Sequence, residues 1–201
     1  MAMLLLSGCG STQSGGAVDK ALDLVGLQRP STMPAPGSSE SASKLAAAPS
    51  KVAIRLHAGE VLNTTVDGRS LSVVARIYKL RDRAAFEQAS YDGLQDPRGS
   101  PNGAAASADW SRDVVDVKEV VLTPGQKFEV VETVPPEAPY VAVVAMFRAP
   151  APQRWRFVFE TKSVAQTGLT LGVHACALSV AAGQPVGAAP DALRLAGVRC
   201  S

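Results

Sequence analysis

The sequence predicts an all-β fold, a two-layer antiparallel β-sandwich with one short helix after its second strand, and three observations carry that prediction. Between Lys51 and Arg199 apolar residues recur in short runs at a spacing of two, the period of a strand with one buried face. Turn signals such as Asp67-Gly68 and Thr123-Pro124-Gly125-Gln126 punctuate the runs. Helical spacing is confined to short stretches, so the crossover-helix rhythm of a parallel sheet is missing.

In chain order, Val52, Ile54 and Leu56 alternate with Lys51, Arg55 and His57, a half-buried strand that puts His57 on a solvated face. Residues 58–70 form the first long connection, unusually apolar for a loop at Val61 and Leu62. Leu71 to Leu80 is the second strand, with Leu71, Val73, Ala75 and Ile77 on one face and Ser72, Arg76 and Tyr78 on the other beside Val74. Asp82 then suits an N-cap, and Ala85, Phe86 and Ala89 at helical spacing predict the short helix, which lays Phe86 on the sheet. Asp96 to Ala108, rich in Pro, Gly, Asn and Ala, is a surface loop that ends at Trp110, a hydrophobic plug.

Strands follow at Val114–Leu122, Phe128–Val134 and Tyr140–Phe147, the last apolar on both faces as a central strand requires. Arg154 to Thr161 alternates most cleanly, with Trp155, Phe157 and Phe159 inward against Arg154, Arg156 and Glu160. Leu169, Leu171 and Val173 repeat the pattern with His174 outward and solvated. The phase then slips to Cys176, Leu178 and Val180, which predicts a bulge or strand end near Ala175. Gly183 to Pro190 turns the chain, and Leu193 to Arg199 returns as the second arm of a C-terminal hairpin, bringing Cys200 opposite Cys176.

A chain of 201 residues with 46% apolar content accommodates one such domain, residues 51–201, plus a tail. Residues 10–50 are mostly Ser, Gly, Ala and Pro and read as a flexible tether, about 41 residues with a root-mean-square span of roughly 35 Å. Within it, Val18, Leu22 and Val25 have helical spacing, too short to be stable alone. Residues 1–9 end in Leu6-Ser7-Gly8-Cys9, which resembles a bacterial lipobox behind a truncated signal peptide and makes Cys9 the predicted lipidation site. With Cys9 acylated, Cys176 and Cys200 remain as an even pair, expected to be bridged in an oxidising compartment, where closing a loop of about 25 residues contributes on the order of 3 kcal/mol.

Chemistry is sparse. A net charge of +2 without a Lys/Arg block gives no footprint for nucleic acid, and no apolar run reaches the length of a membrane span. No nucleophile elbow, phosphate loop, zinc-protease or dinucleotide motif is present, and neither histidine has triad neighbours. The expectation is therefore a protein without catalytic residues, cofactor, metal or small-molecule substrate. Aromatics at 5%, those of the Arg154–Thr161 strand facing inward, leave little for a carbohydrate platform.

The run Ala75-Arg76-Ile77-Tyr78-Lys79-Leu80-Arg81-Asp82-Arg83-Ala84-Ala85-Phe86-Glu87-Gln88-Ala89-Ser90-Tyr91-Asp92-Gly93-Leu94 resembles the signature of the type VI secretion outer-membrane lipoprotein, the TssJ (SciN/VasD) family. Val120-Val121-Leu122-Thr123-Pro124-Gly125, Val144-Ala145-Met146-Phe147-Arg148 and Arg154-Trp155-Arg156 agree in order, so the resemblance spans about residues 51–175. It implies a transthyretin-like sandwich, anchored through acylated Cys9 to the outer membrane and facing the periplasm. It also implies a scaffold that binds the periplasmic C-terminal region of the inner-membrane IcmF-like component, TssM. In that family the connection between the first two strands is a main partner contact, which maps here to residues 58–70 and names Val61, Leu62, Asn63, Thr64, Asp67, Gly68 and Arg69 as candidates. On that reading Leu62→Asp leaves the domain folded and weakens partner capture. Gly10, in place of an Asp that would favour inner-membrane retention, points to the outer membrane. The competing expectation is a lipid-anchored periplasmic carrier or sugar-binding module on the same sandwich, which would show an open, aromatic-lined pocket.

Overall fold

A computed structural model describes residues 47–95 and 110–200 of the chain. The lipobox with Cys9, all but the last few residues of the predicted tether, and the 96–109 loop lie outside the described residues.

Eight strands and two short α-helices follow one another: β1 (Ser50–Ala58), β2 (Val73–Leu80), α1 (Ala84–Gln88), β3 (Val114–Leu122), β4 (Lys127–Val134), β5 (Tyr140–Met146), β6 (Arg156–Glu160), α2 (Thr161–Thr167), β7 (Leu169–Val173) and β8 (Leu178–Ala182). They form two four-stranded sheets, ordered β4-β1-β7-β8 and β3-β2-β5-β6. All neighbours are antiparallel except β1 and β7, which run parallel with Ile54 opposite Leu169. The parallel pair follows from the β6–α2–β7 connection, which carries the chain from one sheet to the other before β7 enters beside β1.

The period-two pattern has its predicted consequence. Val52, Ile54 and Leu56 of β1, Leu169, Leu171 and Val173 of β7, Ala75 and Ile77 of β2, Val141 and Val143 of β5, and Phe157 and Phe159 of β6 are buried in one core. Burying a side chain of this kind contributes on the order of 1.5–3 kcal/mol, and the alternation repeats it along both inner faces.

The outer face of the β3-β2-β5-β6 sheet is covered as well. The N-cap of α1 is Arg83 rather than the predicted Asp82, whose carboxylate accepts the Ala84 amide at 2.6 Å from one residue earlier; Phe86 of the helix is buried with Tyr78 and Trp110 in three edge-to-face contacts with centroids 5.1–5.9 Å apart. Two guanidiniums in the same row of the sheet hold this cover by its carbonyls. Arg156 donates to the carbonyls of Phe86, Glu87 and Ala89 at the end of α1, and Arg76 donates to Leu94 at 2.5 Å while pairing with Glu119. The Glu87 and Ala89 carbonyls at the helix end gain a partner in this way, and the Phe86 carbonyl, which also accepts the Ala89 amide, gains a second. Burial pushes the Tyr91 hydroxyl up to about 12, so it stays protonated as a donor to the Phe147 carbonyl.

Three further expectations change, concerning a second helix, the C-terminal return and the two histidines, while the predicted phase slip resolves into one of its two forms. A second helix, α2, follows β6, where the strand pattern had been read through Thr161; only Val164 is fully buried along it besides Thr161, too weak a stripe to read as a helical period. Gly168 ends α2 at φ 71°, and a Cβ there would lie 3.1 Å from the Ala53 carbonyl, so chain direction and close packing both require glycine. The phase slip after His174 is a strand end, a four-residue turn in which the His174 amide donates to the Ala177 carbonyl at 3.0 Å. Residues 193–199 form no returning strand; a 3-10 turn at Pro190–Leu193 precedes an irregular run to Cys200.

Both histidines are half-buried rather than solvated. His57 lies on the central strand β1 between Lys127 and Gly172, and its Nε2 is covered without a hydrogen-bond partner. His174 folds back over Gly172, where its Nε2 meets the Ser179 hydroxyl at 3.0 Å. Burial holds its pKa below the usual histidine value, so the ring is neutral at neutral pH.

Candidate functional site

Strand direction sorts the connections into two groups. The β1–β2 loop (59–72), the β3–β4 turn (123–126), the β5–β6 loop (147–155) and the β7–β8 turn (174–177) all lie at one end of the sandwich. Ser50, where β1 begins, lies at the other, and nine extended residues separate the two ends by roughly 27 Å.

The β1–β2 loop is a built structure. The Gly59 amide donates to Val173 at 2.8 Å, Asn63 to His174 at 3.2 Å and Thr64 to Ala175 at 3.1 Å, which ties the loop to the end of β7 and its turn. The Leu62 amide donates to the Ser70 hydroxyl at 3.2 Å, that hydroxyl donates to the Glu60 carbonyl at 2.8 Å, and Leu71 donates to the Leu62 carbonyl at 2.9 Å, so the two arms of the loop close on each other.

Asn63 is the hinge of the arrangement. It is buried and adopts φ 45°, a left-handed conformation that asparagine tolerates better than most residues. Its side-chain amide donates to the Ser72 carbonyl at 2.7 Å, and its oxygen accepts the Arg148 amide at 2.7 Å. One side chain thus links both arms of the loop to the β5–β6 connection.

The predicted contact residues divide on this geometry. Leu62 is fully buried in the main core and Asn63 is 7% exposed, so neither offers a surface, and the expectation that Leu62→Asp leaves the domain folded is corrected. Val61 is 60% exposed and stays on the surface with Asp67, Gly68 and Arg69, while Thr64 is half-buried. The residue that the sequence reading missed is Val66. It is 86% exposed at the tip of the loop, and Leu71 adds a third exposed apolar side chain at the loop's far root. A β-branched residue immediately before Asp67-Gly68 was the available signal, since turn tips rarely carry one.

Charge surrounds this apolar tip. Arg69 Nε pairs with Asp67 Oδ2 at 2.8 Å, and Arg148, exposed beside the loop, directs its Nε at the Thr64 carbonyl. Hydrogen bonding from Thr65, then from its own backbone and Arg69, holds the Asp67 carboxyl below its ordinary range. The arrangement is an apolar point within a polar rim on a loop fixed at its roots, the anatomy of a protein-recognition element.

Away from this end, Lys79 of β2 meets Asp116 of β3 at 2.8 Å and Glu132 of β4 at 3.1 Å, and Lys118 meets Glu132 at 2.7 Å. Asp116 and Lys118, both about half exposed, thereby join the buried Lys79 and Glu132 in a network that links the two sheets. A cleft of about 340 Å³ borders β6, lined by Glu87, Arg156, Phe157, Val158, Val186 and Ala192 among others; Phe157 is its aromatic residue. Among the described residues no group of three or more metal-ligating side chains assembles.

Cys176 and Cys200 are bridged, with Cα atoms 5.6 Å apart. Cys176 sits in the β7–β8 turn, the same turn whose carbonyls accept the amides of Asn63 and Thr64.

The model of the family described as type VI secretion lipoprotein, VasD, EvfM, TssJ, matches residues 50–176. No curated protein matches the chain. Among solved structures, a chain described under "Type VI membrane complex" is 28% identical with a TM-score of 0.58, the match covering 66% of this chain and 98% of that one. The T6SS lipoprotein TssJ1 from Pseudomonas aeruginosa is 26% identical with a TM-score of 0.54, covering 69% and 98%. A chain of a structure described as "T6SS protein TssM C-terminal domain (869-1107) from EAEC" is 27% identical with a TM-score of 0.55, the match covering 66% of this chain and 98% of that one.

Proposed function

Because the chain belongs to the type VI secretion lipoprotein family, we propose that it is a non-catalytic scaffold, anchored to the outer membrane through acylated Cys9, that binds the periplasmic C-terminal region of the IcmF-like component TssM. Residues 10–50 serve as the tether and the sandwich as the partner-binding body. Similarity to chains described under the type VI membrane complex and the TssM C-terminal domain supports the partner assignment.

The observation that carries the reading is the β1–β2 loop. It holds Val66 and Val61 in solvent on a frame of backbone hydrogen bonds, at the end of the sandwich opposite the start of β1. Val66, with Val61, Arg69 and Arg148 around it, is the contact; Leu62 and Asn63 set its position from beneath.

Calorimetric titration of the chain with the periplasmic C-terminal region of TssM tests this. Burying one valine contributes about 1.5 kcal/mol, so Val66→Asp is expected to lower affinity by roughly tenfold or more. Because Val66 is 86% exposed, the same change leaves thermal stability unaltered. Unchanged affinity would remove the loop from the interface.

A further inference from the structure

The chain beyond residue 176 lies outside the family match, yet it returns to the partner-binding end. After β8 it runs along the free edge of β6, where Val186 donates to the Val158 carbonyl at 2.7 Å and Pro185 bridges Phe159. It then passes the β5–β6 loop, where the Arg154 guanidinium donates to the Arg194 carbonyl at 2.6 Å, and ends at Cys200 on the β7–β8 turn.

Two features show what fixes that turn. Pro185 is buried beside Phe159, but from Val186 to Cys200 no side chain is, and Ala188, Leu193 and Val198 are only partly covered, so burial holds the C-terminal part of the segment weakly. Cys176 and Ala177 also stand apart from the main core, in a small cluster with Ala151 against which Val198 packs. Three small side chains supply little apolar area; within the turn the His174 amide donates to Ala177, and its ties to the rest of the molecule include the Ala151 amide on the Cys176 carbonyl at 2.9 Å, the Leu178 amide on the Arg154 carbonyl, and the disulfide.

We infer that residues 183–200, closed by the Cys176–Cys200 bridge, form a strap that positions the partner-binding loop by fixing the turn on which Asn63 and Thr64 hang. The inference rests on the reading of the loop given above. The strap makes no contact with the partner; it lowers the ordering that the loop would otherwise undergo on binding. Cys176, Cys200 and Arg154 are positioning residues in this scheme. The physical logic is that the core grips the turn only at its roots, Val173 and Leu178, while the Asn63 and Thr64 amides hang on carbonyls within it, so what immobilises the middle of the turn fixes that arm of the loop.

The test compares the full chain carrying Cys9→Ser, which prevents mispairing, with the same chain carrying Cys200→Ser as well. Cys200 is exposed, so its replacement leaves the buried Cys176 and the cluster around it intact. Amide exchange is the first readout. Protection of the Asn63 and Thr64 amides is expected to fall about tenfold or more, while amides of β2 and β5 keep theirs. The second readout is titration with the periplasmic C-terminal region of TssM, in which affinity is expected to fall roughly tenfold. Unchanged protection at Asn63 and Thr64, or a uniform loss that includes β2 and β5, overturns the strap. If Cys200→Ser does not fold, Arg154→Ala, which removes the donor to the Arg194 carbonyl and keeps the bridge, gives the second comparison, with the same selective loss of protection at Asn63 and Thr64 expected and unchanged protection overturning the strap. Should the bridged chain itself fail to bind TssM, the partner reading fails, and the exchange arm still decides the strap.

Discussion

Leu62→Ala separates the two roles that the β1–β2 loop combines. The wild-type side chain is fully buried in the main core although it lies in a loop, and its backbone is engaged through Ser70 and Leu71. Truncating a buried leucine to alanine costs about 2–5 kcal/mol, the sum of lost transfer energy and the cavity left behind. A loop site relaxes more readily than a strand site, which puts the expected loss near 3 kcal/mol. For a domain of this size about 2–4 °C accompanies each kcal/mol, so the melting temperature should drop by roughly 6–12 °C. Circular dichroism melts measure the drop, and titration with TssM well below the new midpoint measures what binding remains. Leu62→Asp, which places a carboxylate where no partner exists, should prevent folding of the loop root altogether. A melting temperature within about 2 °C of wild type for Leu62→Ala, with binding abolished, would refute the assignment of Leu62 to the core and return it to the interface.

Further outcomes follow from the polar clusters that hold the sandwich together. Arg156→Leu removes the donor to three carbonyls of the α1 end and should cost about 2–4 kcal/mol, read as a lower urea midpoint together with a red shift of tryptophan emission as Trp110 and Trp155 lose their packing; an unshifted spectrum would argue that α1 holds its place unaided. The Lys79–Asp116–Glu132–Lys118 network predicts an acid limb. Desolvation pushes the Glu132 carboxyl up, but hydrogen bonds and charges from Lys118 and Lys79 outweigh it, and the Lys79 hydrogen bond lowers Asp116 likewise. Both carboxyls lie below their ordinary values of 4.5 and 3.8, so the stability they contribute is present above those values and is lost as pH falls through the lowered ones. Glu132→Gln should flatten that limb in denaturation curves between about pH 5 and pH 2, and a limb identical to wild type would count against the network.

Much of this protein was legible without coordinates because strand alternation is local. A residue and its neighbour two positions on share a face whatever the topology, so Val52, Ile54 and Leu56, Phe157 and Phe159, and Leu169, Leu171 and Val173 declare their burial in the sequence. The short helix announces itself through the helical spacing of Ala85, Phe86 and Ala89 for the same reason, although its N-cap falls at Arg83 and not at Asp82. The motif from Ala75 to Leu94 likewise carried the family, and the two cysteines pair as their number suggested. What only the tertiary structure decided concerns residues whose surroundings come from distant parts of the chain. Nothing near Leu62 says that it drops into the core while Val66 stands out, because that depends on where the β7–β8 turn holds Asn63 and Thr64. Nothing near Lys79 names Glu132, which arrives from the other sheet, and nothing near Arg156 names the α1 carbonyls some seventy residues earlier. The parallel pairing of β1 with β7 has the same origin. Alternation dictates which face of a strand is apolar, whereas the identity of the neighbour is set by how the sheets close on each other, and at the loop end that closure alone separates a contact residue from a buried support.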